Sequence, residues 1–153
     1  MDAKKLLVGT INGAVGMMIV AFVMWDVLLK DFFSAQMSVE ALDPPNLVLQ
    51  LLSSACGALL LTIVLSWKNP SGVTEAMKDA ALIGVLMWLG VNFWNMGSYV
   101  MWNSMQAGLT DAVLTAIPVG AAGGAIYWTT MRGELQSGRI VQGDAPSSHC
   151  CLG

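Results

Sequence analysis

An all-α integral membrane protein, a bundle of four transmembrane helices, is the fold that the sequence predicts. Three observations predict it. Of the 153 residues, 56% are hydrophobic and 11% charged, whereas soluble domains carry about 25% charged residues. Apolar runs at about 6–29, 46–67, 80–102 and 110–131 are each long enough to cross a bilayer. The basic residues are also one-sided. Lys4, Lys5, Lys68, Lys78, Arg132 and Arg139 fall together in a four-span arrangement, with Lys30 alone opposite. By the positive-inside rule both termini are then cytoplasmic. Trp25, Trp67, Trp102 and Trp128 stand at the exit ends of the spans, as an aromatic belt would place them. Residues 1–131 form the transmembrane domain and 132–153 a polar cytoplasmic tail.

The first run follows a Lys4-Lys5 flank like that of a secretory signal. It is too long for one, and no A-x-A-like cleavage site follows, so it reads as a retained span. Gly9, Gly13 and Gly16 give it a small-residue face for close helix packing. Trp25 and Asp26 mark its far end. In the connection 30–45, Phe32, Phe33 and Met37 suit a short piece lying along the interface. Asp43 before Pro44 and Pro45 has the form of a helix start. In the second span Ser53 and Gly57 make another small pair, and Cys56 reads as a buried free thiol. Pro70 and Gly72 mark a turn before the third span.

The third span is the unusual one, with three Trp and two Asn between Leu82 and Trp102. On a helix Trp88, Asn92, Asn95, Tyr99 and Trp102 form one stripe, and Gly90, Trp94, Gly97 and Met101 a second. The sequence therefore suggests this helix as the centre of the bundle. Two uses fit the first stripe. Its amides can bond neighbouring helices as structural glue, or its rings and amides can line a site for a lipophilic molecule with a polar head. Trp88, Asn92, Trp94, Asn95, Tyr99 and Trp102 are accordingly the candidate ligand- or partner-binding residues. In the fourth span Thr110 or Asp111 suits the N-cap, Pro118 should kink the helix, and Gly120, Gly123 and Gly124 form a packing face.

Two acidic residues are expected on the outer side. Asp26 precedes Lys30 by four residues, the spacing of an interfacial ion pair. Asp111 would complement the dipole of the fourth helix. Together the two carboxylates have the charge to attract a cation. The one histidine, His149, lies in the tail beside Cys150 and Cys151, so no internal metal or haem ligand set is expected. No nucleophile lies near a base, so no enzyme is expected. The net charge of -3 and the absence of a basic patch argue against a nucleic-acid partner.

The run Gly90 to Trp128, GVNFWNMGSYVMWNSMQAGLTDAVLTAIPVGAAGGAIYW, resembles small four-span bacterial membrane proteins grouped as domains of unknown function. The shared pattern is a polar-aromatic third helix and an Asp heading a Gly-rich fourth. The resemblance implies the fold and a bacterial inner or intracytoplasmic membrane, and it implies no activity.

The expected function is that of a non-enzymatic accessory or assembly subunit, docked to other membrane subunits in a larger complex. Pigment-bearing and energy-converting complexes are included, since Trp and Asn can bond pigment carbonyls and lipids. The alternative is a small transporter or binder of a lipophilic or amphipathic molecule, in homodimeric form.

Overall fold

A computed structural model of the chain describes residues 2–38, 46–98 and 101–132. Helix α1 (Ala3–Ala21) runs on into a π-helical segment, Phe22–Leu28; α2 (Lys30–Gln36) follows at once. Then come α3 (Leu47–Lys68), α4 (Val73–Ser98), α5 (Met105–Leu114) and α6 (Ala116–Thr130). Among the described residues there is no strand, only a single bridge between Met37 and Trp102. Four helical stretches are long and apolar enough to cross a membrane: Ala3–Leu28, Leu47–Lys68, Val73–Ser98 and Met105–Thr130. At 1.5 Å per residue the shortest, of 22 residues, is about 33 Å long, which matches a hydrocarbon core of about 30 Å.

Local sequence accounts for the helix ends. Asp2 accepts a bond from the Lys4 amide, Asn46 from the Leu49 amide and Ser104 from the Ala107 amide, so each caps the helix behind it. The cap of α5 is thus Ser104, and Thr110 and Asp111 lie well inside the helix. Asp43, Pro44 and Pro45 lie outside the described residues, as do Tyr99 and the tail from Gly133 onward. Asn69 ends α3 in the left-handed region, at φ 50°. Before α4, the Ser71 amide and hydroxyl both donate to the Glu75 carboxylate (2.8 and 2.6 Å), which reaches back from the first turn to the chain before the helix. Lys68 pairs with Asp79 and, at 3.9 Å, with Glu75, which ties α3 to α4 at this end.

The fourth span is the central element, and the third lies on the side. Half of the apolar window of the fourth span is buried, three times the share of any other. Helix α6 packs on α1 and on α4, and α3 packs on α1. The reason is side-chain size. The inner face of α6 is Gly and Ala with few branched residues, which lets two helices approach it at once. Gly123 marks the tightest point: a Cβ there would meet the Ala80 Cβ and, at 2.7 Å, the backbone oxygen of Ala76. Gly9 and Gly13 serve α1 similarly, against Thr62 on α3 and Ile126 on α6. Gly16 lies against Ala125, while Gly120 and Gly124 lie against Met77. Helices α3 and α4, although consecutive, hardly touch, and a cleft remains between them.

Pro118 acts as expected, by removing a donor. The fourth span breaks at Thr115, three residues before it, into α5 and α6. At the break Thr115 donates its hydroxyl back to the Asp111 carbonyl at 3.0 Å.

Candidate functional site: a buried carboxylate at an intramembrane cavity

The site begins with the register of the fourth span. Its buried residues recur as Gly108, Asp111, Thr115, Val119, Ala122 and Ile126, an inward stripe at helical period. Asp111 is therefore carried inside, at 5% exposure, by the periodicity that also buries the small residues around it. A buried ionisable group within a span is costly and needs partners. Asp111 finds them on two other elements.

The Trp25 indole N–H donates to Asp111 Oδ1 at 3.0 Å. The Trp88 indole N–H and, at 3.1 Å, the Asn92 amide N–H donate to Oδ2. Trp88 and Asn92 are four residues apart on α4, hence on one face. Trp25 comes from the π-helical segment, where the helix widens and Trp25 turns into the bundle; π-helical turns often occur at functional sites. All three partners are N–H donors, so both oxygens act as acceptors. Among the described residues no basic side chain pairs with Asp111; Lys68 pairs with Glu75 and Asp79 at the other end of the bundle.

Asn92 is fully used. Its amide N–H also reaches the Gly108 carbonyl at 2.9 Å, and its oxygen accepts the Trp102 indole N–H at 3.3 Å. At 1% exposure this is an internal hydrogen-bonding post. Trp102 is held from outside by an aromatic group and a backbone clasp. Phe33 stacks on Trp25 and meets Trp102 edge-on, with ring centroids 6.2 and 5.9 Å away. The Asn103 amide donates to the Gln36 carbonyl and the Ser38 amide to the Met101 carbonyl, at 2.8 and 3.0 Å.

Beside this network lies a cavity of about 640 Å³ between α1, α3, α4 and the fourth span. Its wall is apolar, with Met17, Leu60, Leu61, Ile83, Met87 and Val119 prominent, and Trp25, Trp88 and Asp111 at one end. Ser53, Ser54, Cys56 and Gly57 of α3 form the facing side. The small residues of α3 thus widen a cavity instead of packing against a helix, and Cys56 is exposed rather than buried because that face of α3 has no neighbour.

The expected stripe is only partly assembled. Trp88 and Asn92 meet at Asp111, and Trp102 joins them through Asn92. Asn95 is half-buried and outside the network, and Trp94 points outward at 72% exposure. Neither Asn92 nor Asn95 lines the cavity. Asp26 is exposed, and it borders a different hollow from the one that Asp111 borders. It makes no ion pair with Lys30, because the helix ends at Leu29 between them. Trp25 and Trp102, expected in the aromatic belt, are turned inward, whereas Trp67 and Trp128 are exposed. Phe33, expected at the interface, is buried, while Phe32 is exposed. Among the described residues no three His, Cys, Asp or Glu side chains gather as a metal site.

The sequence marked Asp111 as an outer carboxylate beside Asp26 and missed its pairing with Trp25. The signal for Asp111 was present. Continuing the small-residue face of α6 backward past Pro118 reaches Thr115 and then Asp111. No such signal exists for Trp25, which is 86 residues away from its partner. The chain matches no family model, no curated protein and no solved structure.

Proposed function

We propose that this chain is an integral membrane protein that binds a lipophilic or amphipathic molecule within the bilayer. The cavity of about 640 Å³ with a carboxylate at one end is the observation that carries this reading. It has the size and make-up of a small-molecule site, a mostly apolar wall with a few placed polar groups. The cleft between α3 and α4 supplies a lateral route from lipid. The polar groups at Asp111 hold and orient, and nothing in their chemistry calls for a bond to be made or broken, so the protein is a binder or carrier rather than an enzyme. The one-sided basic residues support cytoplasmic termini. The resemblance of residues 90–128 to small bacterial proteins supports a bacterial inner or intracytoplasmic membrane.

Native mass spectrometry of the full chain, gently extracted from its own host, tests the proposal. The expected result is a monomer or dimer that retains a small-molecule mass. That mass should be lost in Gly57→Phe, because Gly57 lines the cavity and a Cβ added there meets only the flexible end of Met17, at 3.4 Å. The second reading, an accessory subunit, has its own observation. Trp94 and Phe93 are 72% and 54% exposed on α4, a face suited to anchoring another protein. A ligand-free chain found in stoichiometric assembly with other subunits would replace the first reading with this one.

A further inference from the structure

Resting on the binding reading, we infer that the ligand is a lipophilic monocation, an amine or quaternary onium, whose counter-charge is Asp111. The wall of the cavity carries a single carboxylate and no basic residue. Three N–H donors bond Asp111, and none of them brings a positive charge. No cation among the described residues completes the pair. Two of the carboxylate's roughly four lone-pair directions are used on Oδ2 and one on Oδ1, so one direction on Oδ1 is left without a described donor, in a residue that lines the cavity. Trp25 and Trp88 add aromatic surface to the same end, which an onium group favours over a neutral head. An anion would meet repulsion there, and a neutral lipophile would leave the charge unmatched in a low-dielectric site. Calcium and magnesium are a poor fit, since they take six or more oxygen ligands and the wall offers one carboxylate; among the described residues no three His, Cys, Asp or Glu side chains gather for another metal. One carboxylate in a mostly apolar space whose other polar groups are uncharged defines a ligand with one positive charge on a bulky apolar body.

Tetraphenylphosphonium and tetraphenylborate share a shape and differ in the sign of their charge, and tetraphenylsilane is the neutral member of the set. Saturable binding of each to the full chain in zwitterionic nanodiscs, corrected for uptake by protein-free nanodiscs, tests the inference. The cation should bind at least about tenfold more tightly than the anion. Asp111→Glu should keep that preference, and Asp111→Asn should abolish it. Gly57→Phe should weaken the cation, which locates it in the cavity. Should Asp111→Asn not fold, the comparison on the unchanged chain still decides. If the neutral compound or the anion binds as tightly as the cation, the charge inference is overturned while the binding reading stands. If none of the three binds saturably, both fall.

Discussion

Asp111 and its donors are a problem of satisfaction before they are a site. Removing the carboxylate leaves the indole N–H groups of Trp25 and Trp88 without partners, whereas Asn92 keeps the Gly108 carbonyl. Interhelical hydrogen bonds within membranes contribute about 0.6 kcal/mol each on average, with a maximum of about 1.7. Asp111→Leu should therefore destabilise the bundle by about 1–2 kcal/mol in reversible unfolding from mixed micelles. The cost arises from orphaned donors rather than from a lost attraction, so replacing both indoles should recover much of it. The triple variant Asp111→Leu, Trp25→Phe, Trp88→Phe is expected to unfold closer to the wild type than Asp111→Leu alone. A triple variant less stable than the single one would mean that the rings contribute mainly through packing. Sequence periodicity marked Trp88 and Asn92 correctly as one face of a helix, because i and i+4 residues share a face whatever the tertiary structure. It could not say that this face meets a carboxylate instead of a ligand, since that depends on which helix lies opposite.

At the scale of elements, glycine positions separate contact faces from lipid faces. Gly123 lies where α6 crosses α4, and an added Cβ would meet backbone as well as side chain, so the helices must part. Gly123→Ala should cost about 1–3 kcal/mol, the usual range for overpacking. Gly90, on the outer side of α4, has nothing within 4 Å of an added Cβ. Gly90→Ala should leave the fold intact and add about 0.5–1 kcal/mol of helix stability. Thermal unfolding of the two variants in the same detergent checks both expectations, and equal effects would show that α4 and α6 do not cross at Gly123. The glycine runs of the first and fourth spans were legible as packing faces because small residues at spacings of three and four have few other uses in a span. The packing role of Gly84 against Val119 was not legible, as a lone glycine in a run rich in Trp and Leu gives no periodic signal. The break at Thr115 followed from Pro118, whose missing N–H acts in any context. The π-helical segment had no such marker: Phe22–Leu28 contains neither Pro nor Gly, and the bond it places, from Trp25 to Asp111, spans 86 residues of sequence.

For the whole molecule, span number and helix order have different origins. Hydrophobic length counts the spans without knowledge of their neighbours, which is why four were legible. The order α3, α1, α6, α4 depends on which faces can approach, and composition misled there. The Trp- and Asn-rich third span looked central because polar groups suggest an interior. In the bundle the smoothest helix is central, since Gly and Ala on α6 admit two partners. The bulky third span supplies one inward face and exposes the rest. This asymmetry makes orientation consequential, for the Asp111 network lies at the end of the bundle that holds α2, while the Lys68–Asp79 pair marks the opposite end. If the basic residues set orientation, the Asp111 end faces outward and the Lys68 end the cytoplasm. A fluorescent protein fused after Arg132 should then fold and fluoresce, and alkaline phosphatase inserted after Gln36 should be active. The reverse pair of results would turn the cavity's charged end toward the cytoplasm. A bound cation would then be drawn from the cell interior rather than from outside, with the same residues holding it.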